Sequence, residues 1–493
     1  MKTTENIVVH LFEEVATKRP FWQYFKIFRD EPYAYFLDSS LAENSLGHYS
    51  FMGAHPYLIY KAVLQDDGEV NVEQQLATFP GDIQQSVSYQ PEDLFEDLRL
   101  TFDKHKLGPE IFNDERVPFH AGAVGFLGYE AGSLIEQIPV PKDSEVDLPV
   151  ACFLFVDYTF CFCHTTQKAY LSIIGRGSSN EEAHQKAEAI KASLTGEISI
   201  VDQSASDQQI QHKEGKDASS LDFVAQHDRQ SYTNAVRQIK QHIYEGSVYE
   251  VCLTHRYSCK QEKDTWALYQ TLRAINPAPF SSYLKLPELD VVCSSPERFL
   301  RLDRDGMIES RPIKGTRRRG ETQQEDEVLR HDLATSEKDR AENLMIVDLV
   351  RNDLSRVSEI GSVHVPQLLE VEQYATVLQL VSAIKGKLKE EYDAFDLIRA
   401  CFPGGSMTGA PKIEAMKIIA SLEKSKRGIY SGAIGYIDAT GTLDLNIVIR
   451  SIVVTGGQCY LNVGGAIVSD SNPDAEYEET LDKARVLVAA LRA

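Results

Sequence analysis

Two periods of apolar and polar residues run through this chain. Alternation with period two marks half-buried strands, and it is present in Tyr35-Phe36-Leu37-Asp38-Ser39-Ser40 and in His48-Tyr49-Ser50-Phe51-Met52-Gly53, two strands joined by a loop. Residues 148–174 are rich in aromatic and β-branched side chains and predict a hairpin. Residues 247–257 alternate as well and set Glu250 and Cys252 on one side. Residues 289–294 predict a further strand that ends in Ser295-Pro296-Glu297-Arg298-Phe299, and residues 430–436 another. After a turn at Ala439-Thr440-Gly441, one more strand ends in Val448-Ile449-Arg450. Helical spacing predicts helices over 92–106, 180–194, 229–244, 337–355, 411–422 and 474–492. The helix over 229–244 turns Tyr232, Val236, Ile239 and Ile243 inward, and the one over 337–355 buries Leu344, Val347, Val350 and Leu354. The helix over 180–194 reads as exposed.

Residues 202–221 are polar and poor in apolar side chains, as a linker is. They divide the sequence into an N-terminal region, 1–204, a linker, 205–225, and a C-terminal region, 226–493. The two regions are expected to interleave in space, so this is a boundary of sequence more than of structure.

Composition narrows the function. The chain has 493 residues, 43% of them hydrophobic, enough for a large core or two to three domains. A net charge of −22 argues against non-specific binding to nucleic acid or to anionic membranes, both of which need Lys and Arg. No run of about 18 apolar residues predicts a membrane span. Glu13 and Glu14 break the short apolar run near the start, so no signal-peptide core is expected. Eight scattered cysteines form no CxxC pair, and Cys161-Phe162-Cys163-His164 reads as strand. A reduced, cytoplasmic protein is the expectation.

The candidate chemistry lies in the second half. Gly122, Gly125 and Gly128 do not follow the dinucleotide-binding spacing and mark a strand packed against another backbone. The stretch Ser310-Arg311-Pro312-Ile313-Lys314-Gly315-Thr316 sets a lysine between a proline with fixed φ and a glycine that admits a close neighbour, and Arg317, Arg318 and Arg319 follow. Glu297, at a strand end beside a proline, suits a general acid or a salt bridge to an arginine. Asp339 and Glu342 share one helix face, and Glu476, Glu479 and Lys483 share another. Two such faces meeting would need a cation or shifted pKa values, and an oxygen ligand set suits Mg²⁺ better than zinc. Residues 402–412 form a glycine-rich loop before a helix, a ready anion site but no P-loop. Gly464-Gly465-Ala466 offers further amides. A dicarboxylate bound with Mg²⁺ fits this set.

These motifs resemble the chorismate-binding enzymes. Ser295–Phe299 (SPERF), Pro312–Thr316 (PIKGT), Asp339–Val357 (DRAENLMIVDLVRNDLSRV), Phe402–Lys412 (FPGGSMTGAPK), Tyr430–Ile437 (YSGAIGYI) and Glu476–Ala484 (EYEETLDKA) stand in the family's order. FLDSS…GHYSFMG and PFHAGAVGFLGYE extend the likeness, more weakly, into the first half. The resemblance implies an α+β fold of large, mostly antiparallel sheets packed in two layers with helices outside. It also implies a branch. Anthranilate synthases carry alanine before the glycine of this motif, whereas a lysine, here Lys314, marks aminodeoxychorismate synthases of one kind. Amination of chorismate at C4 by ammonia is then expected, a step toward 4-aminobenzoate and folate. Lys314 would add at C2 with allylic loss of the 4-hydroxyl, ammonia would add at C4, and the lysine would leave. Its pKa would have to be lowered by burial or by Arg317 to Arg319. Glu297 would protonate the leaving hydroxyl from a raised pKa.

By the same resemblance Glu342 and Glu479 would bind Mg²⁺, with Asp339 and Glu476 reaching it through water. Thr316 and Lys483 would lie by the ring carboxylate. Tyr430, Arg450 and the Gly464, Gly465 and Ala466 amides would hold the enolpyruvyl carboxylate. Glu250 replaces the lysine base of the water-using members, and Gln379 replaces a histidine found in members that eliminate pyruvate. Both departures point away from those chemistries. No glutaminase motif is present in the sequence, so a separate amidotransferase subunit, or ammonia from solution, is the expected source. Leu37-Asp38-Ser39-Ser40 falls where anthranilate synthases bind tryptophan. The alternatives are an anthranilate synthase component I and a non-catalytic scaffold that activates an amidotransferase.

Overall fold

The computed structural model describes all residues except 1–6, 42–45, 80–81, 113, 115, 142–145, 205–221 and 375–376. Most of the expected linker therefore lies outside the described residues. The rest forms two sheets of twelve strands each, and every strand pairing among the described residues is antiparallel.

The first sheet joins Ile7–Val15, Lys168–Gly177, Tyr158–Cys163, Tyr49–Ala54 and Ala34–Asp38 to strands from the second half. These are Phe280–Lys285, Leu289–Ser295, Ser451–Thr455, Gln458–Ile467 and Glu250–Lys260, in that order. The other sheet starts at Ile313–Arg318 and Val377–Lys387 and ends at Val70–Thr78 and Asp82–Tyr89. In both sheets the two halves of the sequence are neighbours: Leu37 pairs with Ser282, and Gly125 with Gly435.

Period two decides what each strand face meets. Leu58, Tyr60, Ala62 and Leu64 point outward, where Leu94, Phe95, Leu98 and Phe102 of the helix Leu94–Asp103 cover them. Ile59 points inward into a core shared by both sheets, with Phe51, Phe126, Val291 and Ile434. The outer face of the first sheet is closed by an aromatic layer, Tyr24, Phe25, Trp266 and Tyr269, and by the helix Pro473–Arg492. Gly125 fits because a Cβ there would stand 1.9 Å from the Cys152 carbonyl oxygen, which is the close backbone approach the sequence suggested.

Four readings need correction. Residues 148–174 are not one hairpin: Ala151–Val156 lies in one sheet, and Tyr158–Cys163 with Lys168–Gly177 in the other. The chain changes sheets at Asp157, which pairs with Arg176 at 2.8 Å. The helix read as exposed extends over Asn180–Gln203 and buries Ala183, Ala187, Ile190, Leu194, Ile198 and Val201 against the first sheet. In the helix Glu337–Ser355, Leu344 is exposed, and Glu342, Asn343 and Ile346 take the inner face. Tyr430 and Arg450 stand outside strands, after which Ala433–Asp438 begins and before which Leu443–Asn446 ends. No helix among the described residues is long and apolar enough to cross a membrane.

Candidate active site

A cavity of about 570 Å³ opens where the strands Ile313–Arg318, Glu250–Lys260 and Gln458–Ile467 approach the helices Glu337–Ser355 and Pro473–Arg492. It brings together Lys314, Glu297, Thr316, Tyr430, Arg450, Gly464, Gly465, Ala466, Lys483, Glu342, Glu479 and Asp339. Glu476 does not line it, but stands just behind. A second cavity of about 470 Å³, lined from both sheets, includes Leu37, Asp38 and Ser39 and none of these twelve.

Lys314 is buried, and its Nζ donates to Glu250 Oε1 at 2.8 Å. Gly315 makes this geometry possible: its φ of +82° breaks the register of the strand, and a Cβ there would press on the Asp339 carboxyl carbon at 2.8 Å. Burial alone would push the ammonium toward neutrality. The Glu250 carboxylate, with Glu342 behind it, overrides that and holds the lysine above its ordinary range. The expectation that Arg317 to Arg319 depress this lysine therefore fails. Arg317 is spent on Asp332 and Asp339, Arg318 on Glu325, and Arg319 on Asp326 and the Tyr374 carbonyl. Each guanidinium finds its own acid on the following helices, and the lysine is left with a carboxylate. Glu250 is the partner of Lys314 that sequence reasoning missed. Its strand alternation placed it beside Cys252, but nothing in one sequence ties residue 250 to residue 314. It is fully buried, and its Oε2 has no hydrogen-bond partner.

Glu297 sits in the gap between Leu289–Ser295 and Arg298–Leu302, where Pro296 turns the chain. The salt bridge weighed for it is absent, because Arg298 turns away to Asp444 and Glu309. Burial pushes the Glu297 carboxyl up to about 7, against the opposing pull of the Ser406 hydroxyl, Lys314 and the Ile313 amide. A carboxyl so placed holds a proton near neutrality and can give it up to a leaving group.

The far wall is cationic. Arg450, at φ +51°, is pushed below its ordinary range by burial and has no carboxylate partner among the described residues, so it can pair with an anionic group. Tyr430 is raised by burial and remains a neutral donor. The amides of Gly464, Gly465 and Ala466 belong to a strand already paired with Leu253, Thr254 and Cys252, and Lys483 Nζ donates to the Gly464 carbonyl at 2.9 Å. These glycines are therefore not a free loop. Gly464 lets the Leu253 carbonyl approach, and Gly465 lets Glu476 Oε2 and Glu479 Oε1 come to 3.3 and 3.5 Å of where its Cβ would be. Gln379 is buried opposite Thr316, with Oε1 unpartnered.

The acidic end gathers side chains from two helices. Lys338 Nζ reaches Glu476 Oε1 at 3.1 Å and stands 3.8 Å from Glu342 Oε1, and Lys483 pairs with Glu479 at 2.7 Å. Among the described residues, no three acidic, His or Cys side chains converge on one point as a ligand set. Burial nevertheless lifts Glu342 to about 7, and Glu342 Oε1 and Glu476 Oε2 are buried without a hydrogen-bond donor. Orphaned carboxylate oxygens in this number fit a divalent cation.

Known proteins resemble this chain over most of its length. Aminodeoxychorismate synthase of Streptomyces griseus is 40% identical over 467 residues, covering 94% of this chain and 62% of that protein; the chain thus spans less than two thirds of that relative's length. Aminodeoxychorismate synthase component 1 of Bacillus subtilis is 39% identical over 380 residues, 77% of this chain and 78% of the relative. The crystal structure of anthranilate synthase component I from Streptococcus pneumoniae superposes with a TM-score of 0.72 at 30% identity, covering 90% of this chain and 93% of that one. Residues 62–489 match the model of the chorismate binding enzymes, a span that holds every residue of the cavity, and the chain belongs to that family.

Proposed function

We propose that this chain aminates chorismate at C4 to give 4-amino-4-deoxychorismate for 4-aminobenzoate and folate synthesis, using ammonia from a glutamine amidotransferase partner. The observation that carries the reading is Lys314, paired with the buried Glu250 and lining a cavity that also holds Glu297, whose carboxyl burial raises. Lys314 must first give up the proton that Glu250 and Glu342 help it keep, and Glu250, at 2.8 Å, is the acceptor at hand; the freed amine attacks C2 of the ring. The two conjugated ring double bonds shift, the C4–O bond breaks, and Glu297 supplies the proton with which the hydroxyl leaves as water. Ammonia then adds at C4 and passes a proton to Glu297, the two double bonds shift back, and the C2–N bond breaks to return the lysine, which recovers its proton from Glu250. One water leaves for each ammonia added, and the enolpyruvyl group is kept. Arg450 and Tyr430 orient the enolpyruvyl carboxylate, and Thr316 and Lys483 lie toward the ring carboxylate. Mg²⁺, held by Glu342 and Glu479 with Asp339 and Glu476 behind, would neutralise the ring carboxylate. Eight unpaired, buried cysteines support a reducing, cytoplasmic setting.

The test is a product assay with chorismate, Mg²⁺ and ammonium. An aminated product that retains its pyruvyl group, and that yields 4-aminobenzoate only when an aminodeoxychorismate lyase is added, is expected. Direct release of anthranilate and pyruvate would support the anthranilate reading, which the Streptococcus structure keeps in view. A chain that never consumes chorismate would support the scaffold. For the metal, Glu342→Gln and Glu479→Gln should each raise the Mg²⁺ concentration for half-maximal activity about tenfold or more. Mg²⁺ titrations unchanged in both variants would refute this ligand set.

A further inference from the structure

The sequence Lys424-Ser425-Lys426-Arg427-Gly428 looks like a solvated basic run, yet Arg427 is buried at 4% exposure. All five of its N–H donors are used. Nε and Nη2 grip both oxygens of Glu423 at 2.9 and 2.7 Å. Nη2 also donates to the Cys252 carbonyl at 2.7 Å, and Nη1 to the Met407 carbonyl at 2.6 Å and to Ser431 Oγ at 3.3 Å. The guanidinium lies 4.4 Å from the centroid of the Tyr129 ring. Glu130 in turn accepts from the Arg427 and Gly428 amides at 2.7 and 3.0 Å, and Glu423 accepts from the Thr254 amide and hydroxyl at 2.8 and 3.0 Å.

The carbonyls it holds are not arbitrary. Met407 follows Ser406, whose hydroxyl hydrogen-bonds the Glu297 carboxyl. Cys252 lines the cavity two residues along the strand from Glu250. Ser431 follows Tyr430. We infer that Arg427 is a positioning residue for the reaction: one planar fork fixes the loop that carries Ser406, and so Glu297, relative to the strand that carries Glu250, and so Lys314. The inference rests on the chorismate chemistry proposed above. A lysine could not replace it, since three donors on one nitrogen cannot meet five acceptor atoms spread around a planar fork.

The groups that face Glu297 are Lys314, Ser406 and the Ile313 amide, and Asp353, held by Lys412, borders the small cavity behind it. With the Arg427 fork gone, Ser406 loosens and the hydrogen bond favouring ionised Glu297 weakens. In Arg427→Lys, kcat/KM for chorismate consumption should fall about tenfold to a hundredfold. The basic limb of its pH profile should move upward by about half a unit or more. Ser406→Ala should move the limb the same way, and the double variant should move it no further than Ser406→Ala alone. Loss of thermal stability with the limb in place, or additive shifts in the double variant, would overturn the inference. If Arg427→Lys does not fold, Glu423→Gln, which keeps the arginine but loosens its fork, is read the same way. Measuring chorismate consumption keeps this test apart from the identity of the product: a wild-type chain that makes anthranilate changes the proposed product, not the position of the limb.

Discussion

Lys314→Ala should bind chorismate as the native chain does and lose amination by at least about a thousandfold at neutral pH and low ammonia, about 4 kcal/mol of transition-state stabilisation. The size follows from the step removed. Without the amine there is no C2 adduct, and ammonia must displace the 4-hydroxyl directly, the one hard step that the covalent route divides. Binding should survive because, in the proposed reading, Arg450 and Tyr430 take the enolpyruvyl carboxylate and Mg²⁺ at the acidic end would take the ring carboxylate, while the lysine is already satisfied by Glu250. Mass spectrometry checks the same point from the other side. The native chain incubated with chorismate and no ammonia should gain one chorismate less one water on the peptide that contains Lys314, and the variant should gain nothing. High ammonium at alkaline pH should restore part of the lost rate. Full activity of the variant at low ammonia, or an adduct on another residue, would remove Lys314 from the mechanism.

Glu297→Gln should lower kcat by about a hundredfold to a thousandfold and abolish the basic limb of the pH profile. The sign follows from the environment. Burial raises this carboxyl to about 7, so the acid form that donates the proton is present below that pH and is lost as pH rises through it. With free ammonia held constant, the native kcat/KM should therefore fall above about 7, and the variant, which carries no titrating proton there, should be flat and low. A limb that persists in Glu297→Gln belongs to another group and would take the general-acid role from this residue.

Both experiments read a site that is only partly visible along the chain. Lys314 between Pro312 and Gly315, Glu297 after Pro296, and the acidic helix faces at 339–342 and 476–479 are local patterns, each written within a few residues. Their order resembles one family, and residues 62–489 match it. The alternation of residues 247–257 likewise predicted the strand Glu250–Lys260, and the spacing of Tyr232, Val236 and Ile239 predicted the helix Arg229–Tyr244. Leu344 was misread because a three-to-four spacing of apolar residues fits two adjacent stripes of one helix, and only the neighbour decides which is covered; here a strand on that side buries Asn343 and Ile346.

What the sequence determined by itself was therefore local: strand or helix from the period at 247–257 and 229–244, a lysine set between a proline and a glycine, and carboxylates grouped on two helix faces. Tertiary structure decided which charges meet. Arg317 to Arg319 are next to Lys314 in sequence and turn to acids on other elements, whereas Glu250, 64 residues away, is the group at 2.8 Å. Arg427, which no sequence pattern singles out, is buried with all its donors engaged. The physical reason is that a pKa or a role depends on burial and on charges within a few ångströms. Those distances are set by how two antiparallel sheets, each drawn from both halves of the chain, and their helices close on one another, and no stretch of chain carries them alone.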